Sequence, residues 1–160
     1  RFYATDISRG PDGKFWVIND RTQSPSGLGY AIENRLTMNS ISNDLYPKIE
    51  ILKMAKFIEG FKDMLKSLSS SNHENPLIAL LTPGPLNETY FEHSYISSFL
   101  DLTLVQGEDL LVKNNQLWLK NLNGLRKVDT LIRRVDSQYC DPLELKNNSQ
   151  LGLYPYLFYK

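Results

Sequence analysis

The sequence predicts an α/β protein with a mainly parallel sheet, in which a β-hairpin and two helices precede the sheet. Three observations predict this class. Two short β-prone runs flank a Gly- and Pro-containing turn near the start of the chain, and two segments with helical character follow them. Beyond these, residues 77–81 form a continuous apolar run, which is typical of a strand buried on both faces of a parallel sheet.

The hairpin is predicted from residues 2–8 and 14–19, which contain aromatic and β-branched side chains. The intervening sequence, Arg9-Gly10-Pro11-Asp12-Gly13, has the residues of a tight turn. Trp16 lies in the second run and, like Trp118 further along the chain, is predicted to belong to the core.

Two helices are predicted next, over Tyr30–Leu45 and Glu50–Leu68. The second is strongly amphipathic, because its apolar residues recur at helical spacing. Residues 69–76 have the polar composition of a linker. We therefore predict a hairpin-and-helix part at residues 1–75 and an α/β domain at residues 76–160.

The second part begins with a predicted βαβ unit. The strand at 77–81 leads through a turn-rich loop at 82–87 into a helix that ends near Leu100, and a strand follows at 102–105. The crossover of such a unit is expected to be right-handed. Further strands are predicted at residues 110–112 and 117–119, joined by a turn at Asn114-Asn115, and at residues 128–135.

The composition excludes several kinds of partner. Eighteen basic residues balance eighteen acidic ones, so no net charge favours nucleic acid. No apolar stretch is long enough to span a membrane. Cys140 is the single cysteine, which favours a reducing compartment and predicts a cytoplasmic protein. The chain starts at Arg1 without Met and finishes in an aromatic segment, so we interpret both ends as cut edges.

Ligands of open α/β sheets bind beyond the carboxyl ends of the parallel strands. One such end is Thr82-Pro83-Gly84, and the helix after it offers backbone N–H groups that suit an anion. Thr82, Gly84 and Asn87 are therefore predicted to bind substrate.

A second strand end carries Arg133 and Arg134. Because side chains alternate along a strand, the two cannot face the same way. An arginine at this position would bind a carboxylate or phosphate bidentately, so both are candidates for substrate binding. The alternative is that both are surface charges paired with Asp129 and Asp136.

Glu92 and His93 follow the start of the predicted helix. Thr89-x-x-Glu92 fits a capping box, and the alternative for Glu92 is a contact with substrate. His93 has no triad partner and no metal-ligand spacing, so we interpret it as a structural or solvated histidine. Cys140 lacks a catalytic context and is interpreted as a buried thiol.

At the hairpin, Asp6 together with residues 19–27 resembles the magnesium-binding end of ATP-grasp ligases. In those enzymes an Asp on one strand and a Glu-x-Asn on the next hold the metal ions. Most of the chain resembles the uncharacterised type 2 family of circularly permuted ATP-grasp proteins. The segments that carry this resemblance are residues 31–35, 81–93, 128–136 and 141–145.

The resemblance implies that the last strands of the ATP-grasp core come first in the chain. A Rossmann-like pre-ATP-grasp domain follows, and the remaining ATP-grasp half belongs to the same protein. The implied reaction phosphorylates a small-molecule carboxylate with ATP and passes the acyl phosphate to an amine, with Mg²⁺ bridging the phosphates. ATP and Mg²⁺ are thus implied for the full-length protein, and neither is expected to bind tightly to these residues alone.

The sequence departs from the family pattern at the metal site. Asp6 is present, but Asn19 stands at the Glu position and Arg21 at the Asn position. Asn19 is a weaker Mg²⁺ ligand than a carboxylate. Arg21 cannot bind the metal, but it would occupy the place of the cation and contact phosphate. The resemblance therefore implies Asp6 and Asn19 as metal-binding candidates and Arg21 as the catalytic candidate.

Three functions remain open. The chain is part of a carboxylate–amine ligase and inactive alone, a non-catalytic binding or scaffolding module with a degenerate metal site, or a structural α/β domain. The register of the hairpin tests the resemblance. If Asp6 and Asn19 share a face, opposed residue numbers must sum to an odd value, for example Ile7 opposite Trp16 or Lys14.

Overall fold

The structure is a computed structural model of the 160-residue chain, and it describes residues 3–42, 52–69 and 75–140. It confirms the α/β class. The α-helices and β-strands of the described part are β1 (Ala4–Arg9), β2 (Phe15–Arg21), α1 (Leu28–Ile41), α2 (Met54–Ser67), β3 (Ile78–Leu81), α3 (Tyr90–Leu100), β4 (Thr103–Val105), β5 (Leu110–Lys113), β6 (Gln116–Asn121), β7 (Gly124–Lys127), β8 (Thr130–Arg133) and the short α4 (Ser137–Cys140).

The parallel sheet has the strand order β4-β3-β8 in the described part of the chain. Both neighbours of β3 run parallel to it, as the predicted βαβ unit requires for β4. The other described strands form two antiparallel sheets, β1-β2 and β5-β6-β7. The sheet structure is therefore less parallel than the sequence predicted, because the short β-prone runs pair locally across turns.

The core covers both faces of β3. On one face, Ala79 and Leu81 pack with residues that follow β4 and β8, such as Leu110 and Val135. On the other face, Leu80 packs with side chains from α2, α3 and β8. The apolar run was thus interpreted correctly as a strand buried on both sides.

The predicted strand at residues 128–135 is wrong in its extent. Val128 still donates its backbone N–H to Leu117 of β6, whereas the next residue, Asp129, donates to Leu77 beside β3. The chain therefore changes sheets between these two residues, and β8 begins only at Thr130. A continuous β-prone run does not show where a strand changes partners.

The two long helices are shorter than predicted. Helix α1 ends at Ile41, and the predicted end at Leu45 lies outside the described residues. Helix α2 begins at Met54, because Lys53 at its N-terminus has an extended backbone conformation. Most of the predicted linker also lies outside the described residues.

Strand β2 is exposed along its whole length. Trp16 is 59% exposed, so its predicted place in the core is wrong, whereas Trp118 is half-buried. A two-stranded hairpin has no further strand or opposing layer to bury its apolar residues, and none of the described residues supplies one.

Candidate functional site

Asp6 lies directly opposite Asn19 in the β1–β2 hairpin, so the two side chains are on the same face. The odd register that the resemblance required is confirmed for residues 4–6. Arg21 lies opposite Ala4 and therefore shares this face.

The register becomes even nearer the turn. Ile7 lies opposite Val17, so the predicted pairing of Ile7 with Trp16 or Lys14 is wrong. Ile18 is an extra residue in β2, a β-bulge that produces the change between the two registers. On the partner strand β1, the change falls between Asp6 and Ile7. This bulge turns the last part of β2 so that its polar residues join Asp6.

Three donors converge on one oxygen of Asp6. Arg21 donates to Oδ2 from Nε at 3.0 Å and from Nη2 at 2.9 Å, and Asn19 donates to the same atom from Nδ2 at 3.1 Å. The hydrogen bond from Arg21, followed by that from Asn19, lowers the pKa of Asp6. The side chain of Arg21 remains 59% exposed. We call these three residues the hairpin cluster.

Glu92 binds the N-terminus of another helix. Its Oε1 accepts hydrogen bonds from Gly27 N at 2.7 Å and from Gly29 N at 3.0 Å, at the start of α1. The predicted capping box is wrong, because Thr89 makes no side-chain cap at the start of α3. The carboxylate instead neutralises the positive end of α1, which packs against α3.

Arg134 lies behind this contact and is 5% exposed. Its Nη1 donates to the carbonyl of Pro25 at 2.6 Å, and its Nη2 lies 3.9 Å from Glu92 Oε2. Burial lowers the pKa of Arg134, and the charge of Glu92 opposes that change. Arg133, one residue earlier, is exposed, so the predicted alternation is confirmed and the surface-charge alternative is wrong for Arg134.

His93 is held between two threonine hydroxyl groups. Its Nδ1 lies 2.9 Å from Thr82 Oγ1, and its Nε2 lies 3.1 Å from Thr89 Oγ1. Burial, helped by the charge of Arg134, lowers the pKa of His93 to about 4. The ring is therefore neutral at physiological pH, and of the two interpretations, structural or solvated, its burial excludes the solvated one.

The loop at residues 82–87 meets the end of β8 at one edge of the parallel sheet, as predicted, since Leu81 pairs with Arg133. Its polar groups have internal partners. Thr82 Oγ1 accepts from Gly84 N at 3.3 Å, and Asn87 Oδ1 accepts from Thr89 N and Oγ1. The substrate-binding roles of Thr82, Gly84, Asn87, Glu92, Arg133 and Arg134 stay predictions.

A cavity of about 900 Å³ lies between α2, β8 and the loop that follows β2. Of the predicted substrate-binding residues, Arg133 is the one that lines it, together with Gln23 and other residues that the sequence did not single out. The bond between Glu92 and Gly29 was also not predicted from the sequence, although a glycine in the first turn of a helix permits another group to approach the backbone closely. No pattern marks its partner 63 positions away.

Within residues 3–42, 52–69 and 75–140, no group of three or more His, Cys, Asp and Glu side chains has a metal-binding arrangement. In the same ranges, none of the helices has the length and apolar character needed to cross a bilayer.

Comparison with known proteins adds a family and several relatives. The family model for circularly permuted ATP-grasp type 2 matches residues 1–157. An uncharacterized protein of Mycobacterium tuberculosis is 37% identical over 151 residues, which cover 94% of this chain and 17% of that protein. An uncharacterized protein of Synechocystis is 34% identical over 149 residues, which cover 93% of this chain and 31% of that protein. The chain thus spans less than a third of the length of these relatives.

Proposed function

The chain belongs to the circularly permuted ATP-grasp type 2 family, and on that premise we propose that the full-length protein is an ATP-dependent carboxylate–amine ligase. This chain contributes the hairpin cluster, which faces the phosphates of ATP, and the Rossmann-like pre-ATP-grasp domain. The rest of the full-length protein contributes the other half of the nucleotide site, so these residues alone neither hydrolyse ATP nor bind it tightly.

One observation carries the proposal. Asp6, Asn19 and Arg21 lie together on one exposed face with three hydrogen bonds to a single oxygen, and the resemblance to ATP-grasp ligases implies that these are the positions that hold metal ions there. A face built around a fixed, exposed guanidinium suits a phosphate, which arginine binds bidentately.

The proposed reaction has two steps. A carboxylate oxygen of the substrate attacks the γ-phosphorus of ATP, which forms an acyl phosphate and releases ADP. The amine then attacks the acyl carbon, the C–O bond to phosphate breaks, and inorganic phosphate leaves as the amine loses a proton. Arg21 would stabilise the charge that accumulates on the transferred phosphoryl group.

Mg²⁺ is usual in the family, but the hairpin cluster does not fit it well. Asp6 is the single carboxylate of the cluster, and its Oδ2 already accepts three hydrogen bonds. The amide oxygen of Asn19 is a weaker ligand, and the guanidinium of Arg21 excludes a second cation. These three residues alone therefore do not form a site for a catalytic metal ion.

Nucleotide binding by the full-length protein tests the proposal. Calorimetry with a non-hydrolysable ATP analogue should show binding, and Arg21→Gln should weaken it by about tenfold, since charge-assisted hydrogen bonds to phosphate are lost. Arg9→Gln is the matched control, because Arg9 lies on the same hairpin but on the opposite face and stacks on Phe15. Equal affinities for both variants would reject the proposed role of Arg21.

A second candidate is a non-catalytic binding module with a degenerate metal site. The ion pair between Asp6 and Arg21, at 2.9 Å, favours it, because a neutralised carboxylate is a poor metal ligand. Two results together would identify this function instead. The protein would bind nucleotide tightly with or without Mg²⁺, and it would release no ADP in the presence of carboxylates and amines.

The proposed partners follow from the reaction. They are a small-molecule carboxylate, an amine and the remaining ATP-grasp half of the same protein, and we expect the whole to act in the cytoplasm.

A further inference from the structure

We propose that the cavity between α2, β8 and the loop after β2 binds a small organic carboxylate with an aromatic or branched aliphatic group. This inference goes beyond the nucleotide-binding role of the hairpin cluster. It depends on the lining of the cavity, so it does not require that ATP binds.

One wall of the cavity is apolar and belongs to α2. Phe57 and Phe61 lie one helical turn apart with their rings nearly parallel, at a centroid distance of 6.2 Å and an angle of 6°. Met64 on the same helix and Leu68, directly after its last residue, extend this wall. Phe57 is 54% exposed and Leu68 is 62% exposed, so the wall has apolar area to offer a ligand.

Another part of the lining is polar. Thr22 and Gln23 come from the loop after β2, and Arg133 comes from the end of β8; all three are exposed. The side-chain oxygen of Gln23 accepts hydrogen bonds from Ser137 N at 3.3 Å and from Ser137 Oγ at 3.1 Å. These bonds fix the amide group at the rim.

The charge of the cavity lining favours an anionic ligand. Among the described residues that line the cavity, Arg133 is the one with a formal charge. It has no ion-pair partner within residues 3–42, 52–69 and 75–140. A single arginine beside neutral donors suits one carboxylate, which it binds with two parallel hydrogen bonds.

The volume of the cavity indicates that the ligand also carries an apolar group. A volume of about 900 Å³ lies within the range of small-molecule sites, which are mostly apolar with a few placed polar groups. Acetate would form hydrogen bonds with Arg133 but would leave the phenylalanine side chains exposed to water. A carboxylate with an aryl or branched alkyl group uses both walls.

The position of the cavity relates it to the hairpin cluster. Its polar rim begins at Thr22, the residue after Arg21, and Tyr3, which also lines the cavity, donates a hydrogen bond to Asp20 on the hairpin face opposite to the cluster. If the full-length protein is a ligase, this cavity would account for a preference for apolar carboxylates.

The test is calorimetric binding of 4-phenylbutyrate to the full-length protein in the absence of nucleotide. We expect saturable binding, with 4-phenylbutanol and acetate each bound at least about tenfold more weakly, because each lacks one of the two contacts. Absence of 4-phenylbutyrate binding, or equal binding of the alcohol, would overturn the proposal.

Two variants locate the ligand, each with a matched control. Arg133→Gln should reduce affinity for 4-phenylbutyrate about tenfold and leave the affinity for 4-phenylbutanol unchanged, whereas Arg126→Gln on β7 should change neither. Phe57→Ser should weaken both ligands, whereas Phe91→Ser, at a residue that is 67% exposed on α3, should weaken neither. If Arg133→Gln and Arg126→Gln behave alike, the cavity is not the site.

The experiment separates this inference from the proposed ligase function. If the protein binds 4-phenylbutyrate but not nucleotide, the proposed carboxylate site is supported and the proposed ligase function is rejected. If the protein binds nucleotide but not 4-phenylbutyrate, the proposed carboxylate site is rejected and the ligase function remains supported.

Discussion

Glu92 Oε1 lies 3.0 Å from the backbone nitrogen of Gly29 and accepts its hydrogen bond across 63 positions of sequence. The contact joins α3 to the N-terminus of α1, and it crosses the predicted division near residue 75. The loop between β2 and α1 is therefore fastened to the parallel-sheet part of the protein. Arg134 strengthens this attachment through the carbonyl of Pro25.

Replacement of Glu92 should destabilise the protein. Glu92→Ala leaves Arg134 buried without its carboxylate and removes the acceptor at the start of α1, so we expect a loss of about 3–5 kcal/mol in the free energy of unfolding. Glu92→Gln keeps an oxygen acceptor for Gly27 and Gly29 but also leaves Arg134 without its carboxylate, so it should destabilise the protein by less than Glu92→Ala. Urea titration measures both. Glu88→Gln, at an exposed position four residues earlier, should stay within about 0.5 kcal/mol of the wild type.

Two glycines in helices should respond to alanine in opposite directions. A Cβ at Gly29 would lie 2.8 Å from Glu92 Cγ, so Gly29→Ala should destabilise by about 1–3 kcal/mol. A Cβ at Gly60 in α2 would meet nothing within 4 Å, so Gly60→Ala should stabilise by about 0.5–1 kcal/mol. Thermal unfolding of the two variants provides the comparison. A stabilising Gly29→Ala would contradict the close approach of Glu92 to α1.

His93 should make stability depend on pH. Its pKa falls from 6.5 to about 4 in the folded protein. Because the folded-state pKa is depressed, the unfolded chain binds the proton more readily, and stability present above pH 6.5 is lost as the pH falls toward 4. Between pH 7 and pH 5 the loss should be about 2 kcal/mol.

His93→Gln removes this titration and should flatten the pH dependence over the same window. Its stability at pH 7 will also change, because the bonds to Thr82 and Thr89 are altered. The difference between pH 7 and pH 5 for each protein is therefore the relevant quantity. An unchanged slope in the variant would show that another group is responsible.

Arg21 should control the ionisation of Asp6. The hydrogen bond from Arg21 is the largest cause of the lowered pKa of Asp6, so Arg21→Gln should raise that pKa toward its ordinary value. NMR titration of the Asp6 carboxyl carbon measures it directly. Asn19→Ala should raise it less, since Asn19 is the second cause. Arg9→Gln should leave it unchanged, because Arg9 is on the other face of the hairpin. A larger effect from Asn19 than from Arg21 would contradict the geometry.

The sequence by itself determined the α/β class, the strand buried on both faces, the amphipathic α2 and the polar composition of the hairpin end. These features arise from local propensity and from periodicity, which depend on residues close together in the chain. The alternation of Arg133 and Arg134 was also predictable, since it depends on backbone geometry alone.

The tertiary structure decided which side chains contact one another. The bulge at Ile18 sets which side chains join Asp6, and a one-residue change in register reverses every facing without altering the composition of either strand. Glu92 matches a capping box in sequence but binds α1, because the packing of α1 on α3 brings two backbone N–H groups to a buried carboxylate that needs them. The place of Arg133 in the cavity likewise required α2, β8 and the loop after β2 to be brought together. Contacts between distant residues depend on how the chain packs, and no local pattern records that.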